Sequence, residues 1–198
     1  MYLLYDFIKK NIFWNSVRVG SNLVFPLVTF PYVSRVLGPD TIGLLNKNSK
    51  FEGKSEFKVL DIGCGYGVVS VVMKAFYKGI TLVSSDVNER ALELTTENLE
   101  KYHAKNFEVV KSFAFDEIKE NFDVVLSNPP IRAGKETIFK IYAQAYEHLN
   151  ENGEFYCVIQ TKHGAKSTQK KLEEIFGNCE TVTIDGGYRI YRSKKEKI

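Results

Sequence analysis

The feature that most constrains this chain is a strand that runs straight into glycine. Residues 57–62 form a short, largely apolar run, and Gly63, Gly65 and Gly67 then place three glycines within five residues. Such a run reads as a buried parallel strand entering a tight turn, and Val68-Val69-Ser70-Val71-Val72-Met73 continues it as a helix against the sheet. Glycine suits the turn for two reasons: the backbone there takes positive φ, and a ligand can approach where a Cβ would collide. The pattern predicts a cofactor cradle at the end of a strand.

From Leu44 onward the pattern is regular. Short segments rich in β-branched and aromatic residues predict strands at 58–62, 81–85, 107–111, 124–127, 154–160, 180–184 and 188–192. Helices are expected at 89–103, 135–149 and 167–176. Strand and helix alternating in this way give an α/β fold with a mostly parallel sheet covered on both faces. Only Asp185-Gly186-Gly187 separates the last two strands, so a hairpin there makes the final strand antiparallel. The hydrophobic content of 44% in 198 residues supports one sizeable domain with a full core. Cys64, Cys157 and Cys179 are odd in number and lack metal-ligand spacing, which argues against a disulfide framework or a zinc site and fits a reducing, cytoplasmic setting.

Residues 1–43 are different in kind. Lys9, Lys10 and Ile12-Phe13-Trp14 lead into Val19 to Ser34, sixteen residues without a charge but interrupted by Asn22, Pro26 and Pro31. That is shorter than the roughly 20 apolar residues of a spanning helix, and it lacks the cleavage site of a signal peptide. With Pro31-Tyr32-Val33-Ser34-Arg35-Val36-Leu37-Gly38-Pro39 and Ile42-Gly43, the segment resembles the N-terminus of polysaccharide (O-antigen type) flippases. The expected organisation is therefore a flippase-like hydrophobic helical appendage over 1–43, weakly membrane-seeking, ahead of a second domain over 44–198.

Chemistry-bearing residues gather at four strand ends, where open α/β sheets bind ligands. Asp61, Gly63, Gly65 and Gly67 close the first. Asp86, 19 residues beyond Gly67, closes the second and is placed to reach ribose hydroxyls. Ser112-Phe113 closes the third, and Ser127-Asn128-Pro129-Pro130-Ile131 follows the fourth. A dinucleotide-binding fingerprint requires a small residue where Val68 stands, and an Asn-Pro-Pro-Ile element has no part in hydride transfer.

VLDIGCGYG, DVNERALE, LSNPPIRAGK, IQTKHGAKS and KLEEIFGN together resemble the class I S-adenosylmethionine-dependent methyltransferases, and among them the small-domain enzymes related to those that modify guanine N2 in small-subunit ribosomal RNA. The resemblance implies a Rossmann-like sheet, S-adenosylmethionine as cofactor and RNA as partner. It places the methionine part of the cofactor on Asp61 and the turn formed by Gly63, Cys64, Gly65, Tyr66 and Gly67, the ribose on Asp86, and the adenine against Val87 and the Ser112-Phe113 corner. Phe113 stands where an acidic or amide residue is commoner, so ring stacking or a backbone contact from Phe113 or Ala114 is expected to take that role. Asn128 and Pro129 would accept the two N–H hydrogens of the target amine and aim its lone pair at the methyl group. Pro130 stiffens that backbone, and Ile131 replaces an aromatic neighbour of the base. Arg132, Lys162, His163 and Lys166 are expected to meet RNA, as part of a basic surface with Lys170, Lys171 and the tail residues Lys194, Lys195 and Lys197. Cys64 reads as packing, since the chemistry needs no thiol, and His103 as a solvated helix residue. Adenine N6 and a protein glutamine amide remain open as substrates because each also offers a planar conjugated NH₂, as does a catalytically impaired remnant behind the membrane-seeking segment.

Overall fold

The computed structural model describes residues 56–77, 79–129 and 134–197; the flippase-like segment 1–43 lies outside them. Strand and helix alternate as β1 (Lys58–Ile62), α1 (Val68–Phe76), β2 (Thr81–Asp86), α2 (Glu89–Lys101), β3 (Phe107–Lys111), β4 (Phe122–Ser127), α3 (Lys135–Glu147), β5 (Leu149–Gln160), α4 (Ala165–Phe176), β6 (Glu180–Asp185) and β7 (Tyr188–Lys194). The seven strands form one sheet in the order β3-β2-β1-β4-β5-β7-β6. All pairings are parallel except those of β7, which runs against both β5 and β6. The chain moves outward from β1 to β3 and then returns to the other side of β1 as β4. That reversal opens a crevice between β1 and β4.

Alternate residues of each central strand face opposite sides of the sheet. Val59, Leu82, Val124, Leu126, Tyr156, Val158 and Ile190 pack with Val68, Val71, Val72 and Met73 of α1 and Leu99 of α2. Leu60, Ile62, Val83, Val125, Phe155, Cys157, Ile159 and Tyr191 pack on the other side, against Ile138, Ile141, Tyr142 and Ala145 of α3 and Ala165, Leu172 and Phe176 of α4. Among the described residues no helix is long and apolar enough to cross a membrane. Burial on both faces explains why the strands read as continuous apolar runs.

Several elements differ from the sequence expectation at an end, α3 stopping at Glu147 among them, and two of the differences have a clear structural cause. β5 begins at Leu149 rather than at 154, because Phe122 pairs with Leu149 and the register with β4 then shifts before Val124. Asn150-Glu151-Asn152-Gly153 has the composition of a turn, with Asn152 at φ 63, yet it continues the strand through this irregularity. α2 stops at Lys101, two residues short of the expected end. His103 takes a left-handed φ of 53; its N–H bonds to the Glu100 carbonyl and that of Ala104 to the Leu99 carbonyl. This is the Schellman arrangement, usually closed by glycine.

A side chain in the left-handed region costs about 1–2 kcal/mol. His103→Gly is therefore expected to stabilise the domain by up to about 1 kcal/mol after the glycine entropy is subtracted, read as a raised midpoint in urea denaturation with an unchanged slope. His103 is exposed and outside both clusters, so a loss of stability would contradict the strain.

Candidate active site

The ends of β1, β2, β3 and β4 open on one edge of the sheet. Ile62 pairs with Ser85 on one side and with Ser127 on the other, so the glycine turn lies between Asp86 and Asn128. The Gly63 and Cys64 amides both donate to the Ser85 carbonyl, at 2.8 and 2.9 Å. The Gly65 amide donates to Oδ2 of Asp86 at 3.0 Å, and Oδ1 accepts from the Asn88 amide at 3.0 Å. The carboxylate is thereby fixed in orientation, with lone pairs left over.

The three glycines are not equivalent. Gly63, Gly65 and Gly67 have φ of +73, +56 and +80, but a Cβ on either of the first two would meet nothing within 4 Å among the described residues. Those two positions are clear of the described side chains. A Cβ on Gly67 would come within 2.9 Å of the Thr95 side chain, so the third glycine lets α1 and α2 approach. Thr95 also donates to the Gly65 carbonyl at 2.9 Å, and Asn98 to the Tyr66 carbonyl at 2.8 Å. These two buried α2 residues hold the turn from the side. Sequence reading passed over them, although polar residues three apart on the stripe that carries Leu99 were the available signal.

Beneath the turn, Asp61 is buried. Ser70 of α1 donates to its Oδ2 at 2.6 Å, and the Ser70 and Ser84 hydroxyls lie 2.8 Å apart. Since Ser70 has one proton and gives it to Asp61, Ser84 must donate to Ser70. Burial pushes the Asp61 carboxyl up to about 6 from its ordinary 3.8; the Ser70 hydrogen bonds pull it back and the nearby Asp86 charge adds to the rise.

The other predicted residues fall into three groups. Val87 and Phe113 are 54% and 49% exposed at the ends of neighbouring strands, an apolar wall beside Asp86; Lys140 of α3 sits over the Phe113 ring at 5.3 Å. Asn128 is exposed and Pro129 buried, while Pro130, Ile131 and Arg132 lie outside the described residues. Cys64, Tyr66 and Ser112 turn inward. Cys64 lies 3.5 Å from the Thr95 hydroxyl, and burial pushes its thiol far above the usual range, which leaves it unreactive. Tyr66 packs against the α1 side of the core. Ser112 bonds the Ala114 carbonyl at 2.9 Å and the Glu117 amide at 3.1 Å, shaping the corner that presents Phe113.

The expected basic surface divides in two. Lys162 and His163, exposed after β5, and Lys166, in the first turn of α4, share the edge with the glycine turn. Because β7 runs antiparallel, the tail lysines emerge at the opposite edge. Lys194 pairs with Glu154 in register, the Lys195 ammonium donates to the Leu149 carbonyl at 2.9 Å, and Lys197 lies 3.4 Å from Glu151. They form a structural seam far from Asn128.

A turn with two side-chain-free positions facing outward, an oriented carboxylate one strand away and an apolar wall beyond it fit a nucleoside cofactor. Together with the seven-stranded sheet and its reversed β7, they define a class I methyltransferase. The methyltransferase small-domain family model matches residues 44–192, and the chain belongs to that family. It is 40% identical over 146 residues to the uncharacterised YbxB of Bacillus subtilis, covering 73% of each chain. It is 32% identical over 196 residues to the ribosomal RNA small subunit methyltransferase C of Actinobacillus pleuropneumoniae serotype 7, covering 96% of this chain and 56% of that one. The chain thus spans about half the length of the curated ribosomal RNA methyltransferases it matches. Among solved structures, a Thermus thermophilus 16S rRNA N2 G1207 methyltransferase in complex with AdoMet and guanosine superposes with a TM-score of 0.66 at 20% identity, over 89% of this chain and 44% of that one. A Pyrococcus furiosus methyltransferase gives 0.64 at 21%, over 72% and 76%. The protein is an S-adenosylmethionine-dependent methyltransferase.

The Asp61 environment gives a pH dependence with a definite sign. A raised carboxyl favours the protonated form in the fold, so its penalty is absent below about pH 4 and grows as pH rises towards 6, where the unfolded chain ionises first. The full penalty is on the order of 3 kcal/mol. Asp61→Asn should flatten the fall in stability between pH 4 and pH 6 in urea titrations. An unchanged slope would show that Asp61 is ionised throughout.

Proposed function

We propose that the chain methylates the exocyclic amine of a nucleic-acid base, with guanine N2 in ribosomal RNA as the target. The observation that carries this reading is the position of Asn128, exposed and one residue beyond the Ile62–Ser127 pair, beside the glycine turn across the crevice. The names of the A. pleuropneumoniae and T. thermophilus relatives support the choice of RNA and of guanine.

S-adenosylmethionine supplies an electrophilic methyl group. In this reading the backbone at Gly63 and Gly65 receives its methionine part, Asp86 accepts from its ribose hydroxyls, and Val87 and Phe113 flank its adenine. An amine conjugated to a base is a weak nucleophile because its lone pair is delocalised into the ring. The Asn128 side-chain carbonyl and the Pro129 backbone carbonyl accept its two N–H hydrogens and hold the lone pair on the line of transfer, so that the rate comes from positioning and fixed dipoles. The amine proton passes to solvent, to which Asn128 is exposed. The proposed methyltransferase domain is residues 44–198, which the family model matches as far as residue 192; the proposed flippase-like segment, residues 1–43, lies outside the described residues.

Asp86→Ala is expected to remove one or two charge-assisted hydrogen bonds and weaken S-adenosylhomocysteine binding roughly ten- to a hundredfold in calorimetric titration. Unchanged affinity would move the ribose elsewhere.

Asn128→Ala should leave that affinity nearly intact and slow single-turnover methyl transfer by about 10²-fold or more. Asn128→Asp, whose carboxylate still accepts both hydrogens, should retain part of the rate. Equal rates for Asn128→Ala and wild type would make Asn128 a turn residue only. The substrate is tested by offering labelled cofactor with small ribosomal subunits, naked RNA, DNA and release-factor protein; labelling of DNA or of release factor alone would replace guanine in RNA by adenine N6 or glutamine.

A further inference from the structure

Among the described residues three large hydrophobic side chains are exposed, Val87, Phe113 and Ile184. The first two belong to the cofactor wall. Ile184, 57% exposed, has no part in it. It lies near the end of the edge strand β6 and pairs directly with Arg189 of β7, so the two side chains share the α4 face of the β6–β7 hairpin.

Arg189 is held from one side. Its guanidinium lies against the Tyr191 hydroxyl, which donates to the Ala165 carbonyl at the start of α4 at 3.2 Å. Its Nε is buried from solvent and has no hydrogen-bond partner among the described residues, so contact with a ligand falls to the rest of this half-buried side chain. A guanidinium anchored in this way presents its remaining N–H donors, and a phosphate oxygen matches their geometry. The nearest loop carries the same sign. From Lys162 to Lys171 the chain holds four lysines and no acid, Lys171 being taken up by Glu174 at 2.9 Å and Asp185 standing next to Ile184 at the end of β6; the Thr161 amide is tied to the Gly187 carbonyl at 2.8 Å, which brings the Lys162–Lys166 loop against the hairpin tip.

This patch stands at the height of the reaction. Ser127, Cys157 and Tyr191 form one row across β4, β5 and β7; Asn128 is one residue beyond that row towards the crevice, and Arg189 two. Two strand spacings, about 10 Å, separate the strands that carry them. We propose that Arg189 and Ile184, with Lys162, His163 and Lys166, form a subsite for the single-stranded RNA that flanks the target base. Arg189 and the lysines contact phosphates, and Ile184 packs against a flanking base or sugar. This rests on RNA being the substrate; it adds the path the strand takes and a specific guanidinium on it. Phosphate contacts fix position and register without reading sequence, which is what a site requires to bring one amine to Asn128.

The test uses the full chain, saturated with S-adenosylhomocysteine, and a fluorescent single-stranded RNA oligonucleotide over a range of salt. Arg189→Gln should weaken binding about tenfold and reduce the salt slope by about 0.7, with cofactor affinity by calorimetry unchanged. Arg189→Lys should keep the salt slope while losing part of the affinity. Ile184→Ser should weaken binding several-fold with the slope intact, and Lys197→Gln, on the opposite edge, should change neither. Wild-type affinity and slope in Arg189→Gln, with RNA still bound, would overturn the subsite and leave the RNA reading standing. Absence of RNA binding by the wild-type chain, with cofactor bound normally, would remove the RNA reading and the subsite with it.

Discussion

The whole site depends on β1 being paired in parallel on both sides. Because Ile62 is in register with Ser85 and with Ser127, the turn after β1 emerges level with Asp86 and Asn128, and groups more than forty positions apart in the chain meet at one crevice. The pairing also decides which way Asp61 points. In a strand with a two-residue period, a slip by one position would exchange Asp61 with Ile62. The carboxylate would then turn away from Ser70 and Ser84 and into the α3 side of the core.

The glycine turn is fixed from every side but one. Asp61, Ser70 and Ser84 link β1, α1 and β2 below it. Thr95 and Asn98 take its carbonyls from α2, and Asp86 and the Ser85 carbonyl take its amides from β2. The remaining side is the one where no described residue would meet a Cβ on Gly63 or Gly65. A cofactor binding there meets a backbone already ordered, so little conformational entropy has to be lost on association.

Much of this was legible in the sequence because the signals were local. β-branched runs, the turn residues between them and the glycine cluster each carry their meaning within a few positions, and they predicted seven strands, their alternation with helices and the reversed last strand. What the sequence did not show was non-local. All three glycines look alike in a row of letters, and only the approach of Thr95 separates the packing glycine from the two open ones. The lysines of the C-terminal third count together in a charge tally, yet β7 carries Lys194, Lys195 and Lys197 to the far edge of the sheet while Lys162 and Lys166 stay beside the crevice. A charge count has no direction; a strand does. Asn150–Gly153 misled for a related reason, since a turn-like composition was overridden by pairing between Phe122 and Leu149.

The register shift between Thr181 and Thr183 bears on how the molecule behaves in a crowd of its own copies. Among the described residues β6 is bonded to β7 alone, so its outer backbone groups face away from the sheet. A flat border of this kind would template the addition of another chain's strand. The irregularity at Val182 interrupts the even ladder of amides and carbonyls that a newcomer would have to match. An interruption of this kind on a rim strand works against edge-to-edge association.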